Sequence, residues 1–426
     1  MTKKTRTILF LVCLVLFLLV APAIVFYSQG YRVDLNPPAG GKIITQTGGL
    51  FLKTLPKQVE IYLNEKLKKK TDFFFGSVLI ENLLPGKYKV AVEKEGFYPW
   101  QKTLEIKEKE VVEAKNIVLF PENLEFNVLI DQVENFWFSS DEKGIVLKEN
   151  SPAGGEDGWA LKLYELDKEI KSHLIEEKDI SLKDVDLLNL KFSEDSKKIS
   201  LEVGVAEQIK YFTLSLEKTP PALTEEKAIL PPIENVLTFE EIDNDIYYLD
   251  NFGNLFKNEE KLTEINFPVK QETKYALEIF QDFIFLIEGN DLYKLNSDSK
   301  SFEKFFEDIR MLKISPDSKK IVYFSNYEIW ILFLKDTEEN PAKRAGEKLF
   351  LMRLSEKIED IFWLNSDYLV FNVGNKIKIT EIDARDRINI IELTEIKNPR
   401  IFWNKTDKRL YLLSEGNLYR SGIILP

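Results

Sequence analysis

Two metal- and redox-active residue types are almost missing: Cys13 and His173 are the only cysteine and histidine in 426 residues. One cysteine excludes an intrachain disulfide and a cysteine-based zinc site, and one histidine excludes a two-histidine metal site within a single chain. Basic charge is also short. With 58 Lys and Arg against 70 Asp and Glu, the net charge is −12, which argues against nucleic acid and against broad contact with an anionic membrane surface. No phosphate-cradling glycine loop, EF-hand pattern or Gly-x-Ser-x-Gly elbow occurs.

The remaining chemical candidates read as structure. His173 is read as a surface histidine in a loop, without the oriented acid and exposed nucleophile that a triad requires. The acidic pairs Glu176-Glu177, Glu225-Glu226, Glu240-Glu241 and Glu338-Glu339 lie in polar runs that read as solvated. Asp250-Asn251-Phe252-Gly253-Asn254 lacks the downstream bidentate Glu of a calcium loop and reads as a hairpin turn. No residue is assigned a catalytic, cofactor-binding or metal-binding role.

What is present is a globular composition, 44% hydrophobic and 30% charged, long enough for two or three folded units. Lys3, Lys4 and Arg6 precede the apolar run Ile8 to Phe26, which as a helix would span about 28 Å, close to a ~30 Å hydrocarbon core. The basic residues before it place residues 1–7 in the cytoplasm, residues 8–27 in the membrane as an anchor and the bulk of the chain outside. Ala21-Pro22-Ala23 resembles a signal-peptide cleavage site, but Pro22 sits within it and Ile24-Val25-Phe26-Tyr27 prolongs the apolar run, favouring an uncleaved anchor. Cys13 reads as a small hydrophobe of that helix. Residues 28–41, broken by Pro37, Pro38, Gly40 and Gly41, read as a stalk.

Residues 42–120 read as a small β-sandwich. Gly49 to Leu52, Val59 to Asn64, Ser77 to Ile80, Lys89 to Lys94, Thr103 to Ile106 and Val111 to Leu119 are strand-like and separated by turn residues, while Leu67 to Thr71 is a basic, solvated segment. The succession Leu84-Pro85-Gly86-Lys87-Tyr88, an alternating strand, then Glu95-Gly96-Phe97 and another strand resembles a PEGA domain. That resemblance implies a small β-sandwich, common in bacterial and archaeal envelope proteins, that often follows a membrane anchor. Leu55-Pro56-Lys57-Gln58 stands where the family's Pro-Glu-Gly-Ala signature would be.

From residue 121 onward one unit recurs: an apolar strand, a polar turn and a second apolar strand. Its fullest copy is Met311 to Tyr323, around Ser315-Pro316-Asp317-Ser318. Copies occur at Phe136 to Gly144, Leu190 to Ile199, Ile361 to Tyr368 and Ile401 to Leu410, with looser ones at Leu237 to Leu249 and Ala276 to Ile287. Seven units spaced about 36–54 residues apart match the blade repeat of a β-propeller. Ile314-Ser315-Pro316-Asp317-Ser318-Lys319-Lys320-Ile321 resembles the turn of TolB-type and WD-like propeller repeats. Leu124 to Ile130 is expected to close the ring against Leu418 to Ile424. Asp141, Asp195, Asp317, Asp367 and Asp407 are read as turn-formers, and the aromatics as packing between sheets. Lys218 to Pro232 reads as an extended linker, and residues 151–158 as a flexible loop.

The chain is therefore expected to be mainly β: a transmembrane helix, a PEGA-like sandwich and a propeller over residues 121–426. The expected function is a non-enzymatic binding or scaffold protein of the bacterial cell envelope. Its expected partners are the membrane, through the helix, and an envelope protein or surface polysaccharide, with no nucleic acid and no cofactor. Two alternatives stand beside it: a carbohydrate-active hydrolase or lyase using channel carboxylates, and a structural component of a surface layer.

Overall fold

The computed structural model describes residues 3–34, 43–151, 158–180, 182, 185–205, 208–218, 220–226, 235–242, 245–337 and 341–425. The apolar run folds as one helix, Lys3–Ser28, with no residue buried against the rest of the chain. Among the described residues it is the one helix long and apolar enough to cross a membrane. At ~1.5 Å per residue it is about 39 Å long. By length and composition it suits an anchor or a signal sequence, and Ala21-Pro22-Ala23 lies within it.

The stalk reading needs correcting where it can be seen. Tyr31–Val33 is a strand paired antiparallel with Ile44–Gln46, as its aromatic and β-branched residues favour. Thr47 N–H donates to Gly30 O at 2.9 Å, and Arg32 Nη2 donates to Asn82 Oδ1 at 2.7 Å. The end of the helix is thus stitched to the module that follows. Residues 35–42, with both prolines, lie outside the described residues.

That module is a sandwich of two sheets. In the first, Gly48–Leu55 lies between Ser77–Leu83 and Val111–Val118. The second runs in the order Lys66–Lys70, Glu60–Leu63, Gly86–Glu93, Trp100–Ile106. Alternation decides the core: Leu50, Leu52, Ile61, Val90, Val92, Leu104 and Ile106 are sealed inside, each such side chain contributing roughly 1.5–3 kcal/mol. The basic segment proves to be the exposed edge strand Lys66–Lys70 rather than irregular chain.

Beyond it, the described residues form seven four-stranded antiparallel sheets, which we number by position: residues 133–176, 185–226, 236–261, 275–306, 311–353, 358–395 and 400–421. The seventh supplies only three strands of its own. Its fourth is Phe126–Ile130, paired with Asn417–Ser421 from Phe126↔Ser421. This is the closure expected from the sequence, and it removes two open edges at once. Apolar cores join the first sheet to the second (Val146, Leu161, Leu190, Leu201), and each sheet from the third onward to the next, as far as the seventh and first (Leu413, Leu418, Phe136, Ile145). Phe138 of the first sheet stacks on Phe402 of the seventh with centroids 4.0 Å apart. The part of the linker from Ala222–Glu226 is a strand, the outermost of the second sheet; its alternation was masked by the prolines around it. Residues 219 and 227–232 of that linker, and 152–157 of the loop before it, lie outside the described residues.

The repeated turn has a repeated geometry. Ser139, Ser193 and Ser315 each donate their hydroxyl to the aspartate two residues on (2.6, 2.6 and 2.5 Å). Asp141, Asp195 and Asp317 in turn accept the backbone N–H of Lys143, Lys197 and Lys319, each at 3.1 Å. The residue after each aspartate, Glu142, Ser196 or Ser318, takes a positive φ of 55–58°. The aspartates at these positions are structural, locking the hairpin by an Asx-type bond.

Candidate functional site

The sandwich ends in two open edges, Trp100–Ile106 in one sheet and Val111–Val118 in the other. Exposed edges present unpaired N–H and C=O groups, and the sixth sheet of the propeller covers them with the loop after Lys376–Glu381. Thr103 N–H donates to Asp386 Oδ2 at 2.7 Å and Gln101 N–H to Asn389 Oδ1 at 3.5 Å. From the other edge, Glu113 O accepts Arg385 Nη1 at 2.8 Å.

The seam is centred on Lys102. Its ammonium lies 2.7 Å from Glu381 Oε1, with the two side chains 0% and 4% exposed. It also donates to the carbonyls of Asp383, Arg385 and Arg387 at 2.7–2.9 Å. Trp100 Nε1 reaches Glu381 Oε2 at 2.8 Å, and Asn389 Nδ2 reaches Oε1 at 2.7 Å. A buried charge needs such satisfaction on all sides. Burial works to raise the Asp383 carboxyl, but the Arg385 guanidinium beside it holds it below the ordinary range. Above this polar centre, Tyr368 accepts the Val118 N–H at 3.0 Å and packs edge-on against Phe120. Val118 and Phe120 share one core with Val370, Ile401 and Leu410 of the sixth and seventh sheets.

Beside the seam opens a cleft of about 730 Å³. The sandwich contributes Glu113, Lys115 and Asn116; the fifth sheet, Asp317, Lys319, Asp336 and Lys343; the sixth, Asp367, Asp383 and Arg385. Both signs of charge alternate around it. The repeated aspartates read as turn-formers, yet two copies of that turn, through Asp317 with Lys319 and through Asp367, wall this cleft. Position rather than residue type makes these copies different, because the fifth and sixth sheets are the ones that face the cleft.

The propeller's first strands hold a second group. Lys313 Nζ lies 2.6 Å from Asp360 Oδ1 and 3.6 Å above the Phe362 ring, and burial lowers its pKa against the pull of Asp360. Arg400 lies over Phe136. On neighbouring sheets, burial raises the Glu278 carboxyl and Glu240 raises it further. Among the described residues, no group of three or more His, Cys, Asp or Glu is placed to hold a metal ion.

Residues 47–119 match the PEGA domain. The PEGA match spans both sheets of the sandwich, and its last strand is the one whose edge Arg385 covers. No curated protein matches the chain. Solved structures similar to it include the β-propeller domain of Cps50 (Swd1) from Myceliophteria thermophila, 10% identical with TM-score 0.42, covering 71% of this chain and 99% of that one. YCF48 from Cyanidioschyzon merolae is 10% identical with TM-score 0.42, covering 70% and 98%. A catalytically inactive virginiamycin B lyase from Staphylococcus aureus with quinupristin is 13% identical with TM-score 0.42, covering 71% and 99%.

His173 is exposed but sits in the strand Ile170–Glu176, not in a loop; its register opposite Lys162 continues the ladder. Asp250 to Asn254 is a hairpin turn, with Asp250 Oδ1 accepting the N–H groups of Phe252 and Asn254 at 2.9 and 2.8 Å and Gly253 at φ 79°. Lys102 was not singled out from sequence. Its signal was parity: a lysine in phase with Trp100, Leu104 and Ile106, where an apolar residue belongs.

Proposed function

We propose that the protein is a membrane-anchored, extracytoplasmic scaffold whose propeller binds an envelope protein or surface polymer without catalysis. The observation that supports this most is the buried Lys102 seam. It fixes the propeller on the PEGA module, which is itself stitched to the anchor helix through Gly30 and Arg32. A chain that spends buried charge on holding one pose presents a surface in a set direction. The mixed-charge cleft beside the seam suits a polar partner surface, since complementary charge steers and orients docking.

Proximity labelling from the propeller on intact cells tests the reading. A discrete set of envelope neighbours is expected, and it should be lost when Lys319→Glu, Lys343→Glu and Asp336→Lys are introduced together. Labelling confined to cytoplasmic proteins would overturn the placement, and an unchanged neighbour set would overturn the cleft.

The Glu240 and Glu278 pair favours a second reading, a hydrolase or lyase acting in the channel. A carboxyl raised by burial and by a neighbouring carboxylate is suited to proton donation. Release of sugar from purified envelope glycans, abolished by Glu278→Gln, would establish that reading over the first.

A further inference from the structure

The PEGA module carries an unused feature at the end farthest from the anchor. Phe73, Phe74 and Phe75 stand out of the loop between Lys66–Lys70 and Ser77–Leu83 at 64%, 74% and 74% exposure. Contiguous apolar surface of this kind marks a contact site. The tip is preformed: Asp72 accepts the N–H groups of Phe74, Phe75 and Ser77 at 2.5–2.8 Å. The adjoining edge strand is basic, and Lys66 and Lys68 make no ion pair among the described residues. Over residues 47–119 the module carries thirteen Lys against ten Asp and Glu, in a chain of net charge −12.

A matching surface exists on the third sheet. Residues 236–267 hold eight Asp and Glu against two Lys. Phe252 and Ile265 are exposed there at 72% and 62%. They are neighbours, since Asn266 Nδ2 donates to Phe252 O at 3.2 Å. Glu259 and Glu260, on the same sheet, make no ion pair among the described residues. One surface is apolar on a basic module, and the other is apolar on an acidic sheet.

The two surfaces belong to different modules of the chain. Lys66–Lys70 and Ser77–Leu83 form one side of the sandwich, while Trp100–Ile106 and Val111–Val118, the other side, bear the propeller. The PEGA module packs on the sixth and seventh sheets. In the order of seven sheets, the third lies across the ring from these. The tip therefore lies beside the edge strands that do not bear the propeller, and Phe252 lies on a sheet that the PEGA module does not pack against.

We propose that the Phe73–Phe75 tip of one copy docks on the third sheet of the next, so that copies join head to tail. Such a contact is heterologous and extends into chains unless its rotation closes. The proposal uses the anchored reading only to lay those chains in the membrane plane; the contact itself can be tested in detergent.

Two variants of the full chain are compared by sedimentation: Phe73→Ser/Phe74→Ser/Phe75→Ser, and Phe252→Ser/Ile265→Ser. The wild type is expected to form concentration-dependent oligomers that dissociate at high salt, and each variant to be monomeric with an unchanged melt. Because each retains one intact surface, mixing them should give a one-to-one heterodimer. A monomeric wild type, oligomers in either variant alone, or a mixture that stays monomeric would each overturn the proposal. In membranes, Phe74→Cys with Phe252→Cys in a Cys13→Ser background should cross-link into a ladder. Phe74→Cys alone giving dimers would show tip-to-tip pairing instead and also overturn it. If oligomers persist in detergent but propeller labelling finds only cytoplasmic proteins, the contact stands and the anchored reading falls.

Discussion

The ammonium of Lys102 and the carboxylate of Glu381 meet at 2.7 Å in a seam that solvent hardly reaches. Breaking a buried pair by removing one partner costs about 3–5 kcal/mol, because the other charge is left uncompensated. Lys102→Met should therefore loosen the PEGA module from the propeller and expose residues 382–389 to protease. Lys102→Met with Glu381→Gln should recover much of the loss. Limited proteolysis beside a two-domain melting profile checks both.

Ser318 sits at φ 55° in the turn that carries Asp317. Ser318→Gly should remove that strain and raise stability by up to about 0.5–1 kcal/mol, partly offset by the greater freedom of glycine in the unfolded chain. A β-branched Ser318→Val should lower it. Denaturant midpoints with unchanged slopes would confirm that the folded turn is the cause.

Phe126–Ile130 completes the seventh sheet. Deleting residues 124–130 should bare the edge of Asn417–Ser421 and lower the propeller melt by about 5–10 °C, the shift that ~3 kcal/mol produces in a domain of this size. An unchanged melt would show that closure contributes little.

The carboxyl of Asp72 is held down to about 2 by the backbone N–H groups of Phe75 and Ser77 that it accepts. A depressed folded pKa contributes order that is fully present above the unfolded value of about 3.9 and is lost as pH falls through about 2. The Phe73–Phe75 tip should thus stay ordered at pH 5 and fray between pH 4 and 2. Asp72→Asn should fray it at every pH. Amide exchange at Phe74 and Phe75 reads this directly.

Periodicity made the architecture legible. Leu312 and Ile314 alternating about Lys313, and the Ser-x-Asp turn recurring at Asp141, Asp195 and Asp317, are local facts that one strand pair can display. Even the closing strand could be found, since an unpaired strand before the first repeat and a short last repeat imply each other. The seam was not legible in the same way. Lys102 and Glu381 lie 279 positions apart, and nothing local to either announces the other; only the parity of Lys102 hinted at burial. The cleft depends on which two sheets the PEGA module faces, a choice that the repeat itself leaves open. Phe73-Phe74-Phe75 stood in plain view between two strands, and its meaning needed the fold, which sets the propeller against the other edge strands of the sandwich.

The closing strand has a consequence for how the chain is made. Phe126–Ile130 precedes its partner Asn417–Ser421 by about 290 residues, which must be synthesised before the two can pair. At ~5–20 residues per second, the opening strand waits on the order of 15–60 s without its mate. A product cut short before residue 417 would keep both edges bare. The pairing therefore reserves a sealed ring for chains translated past residue 421.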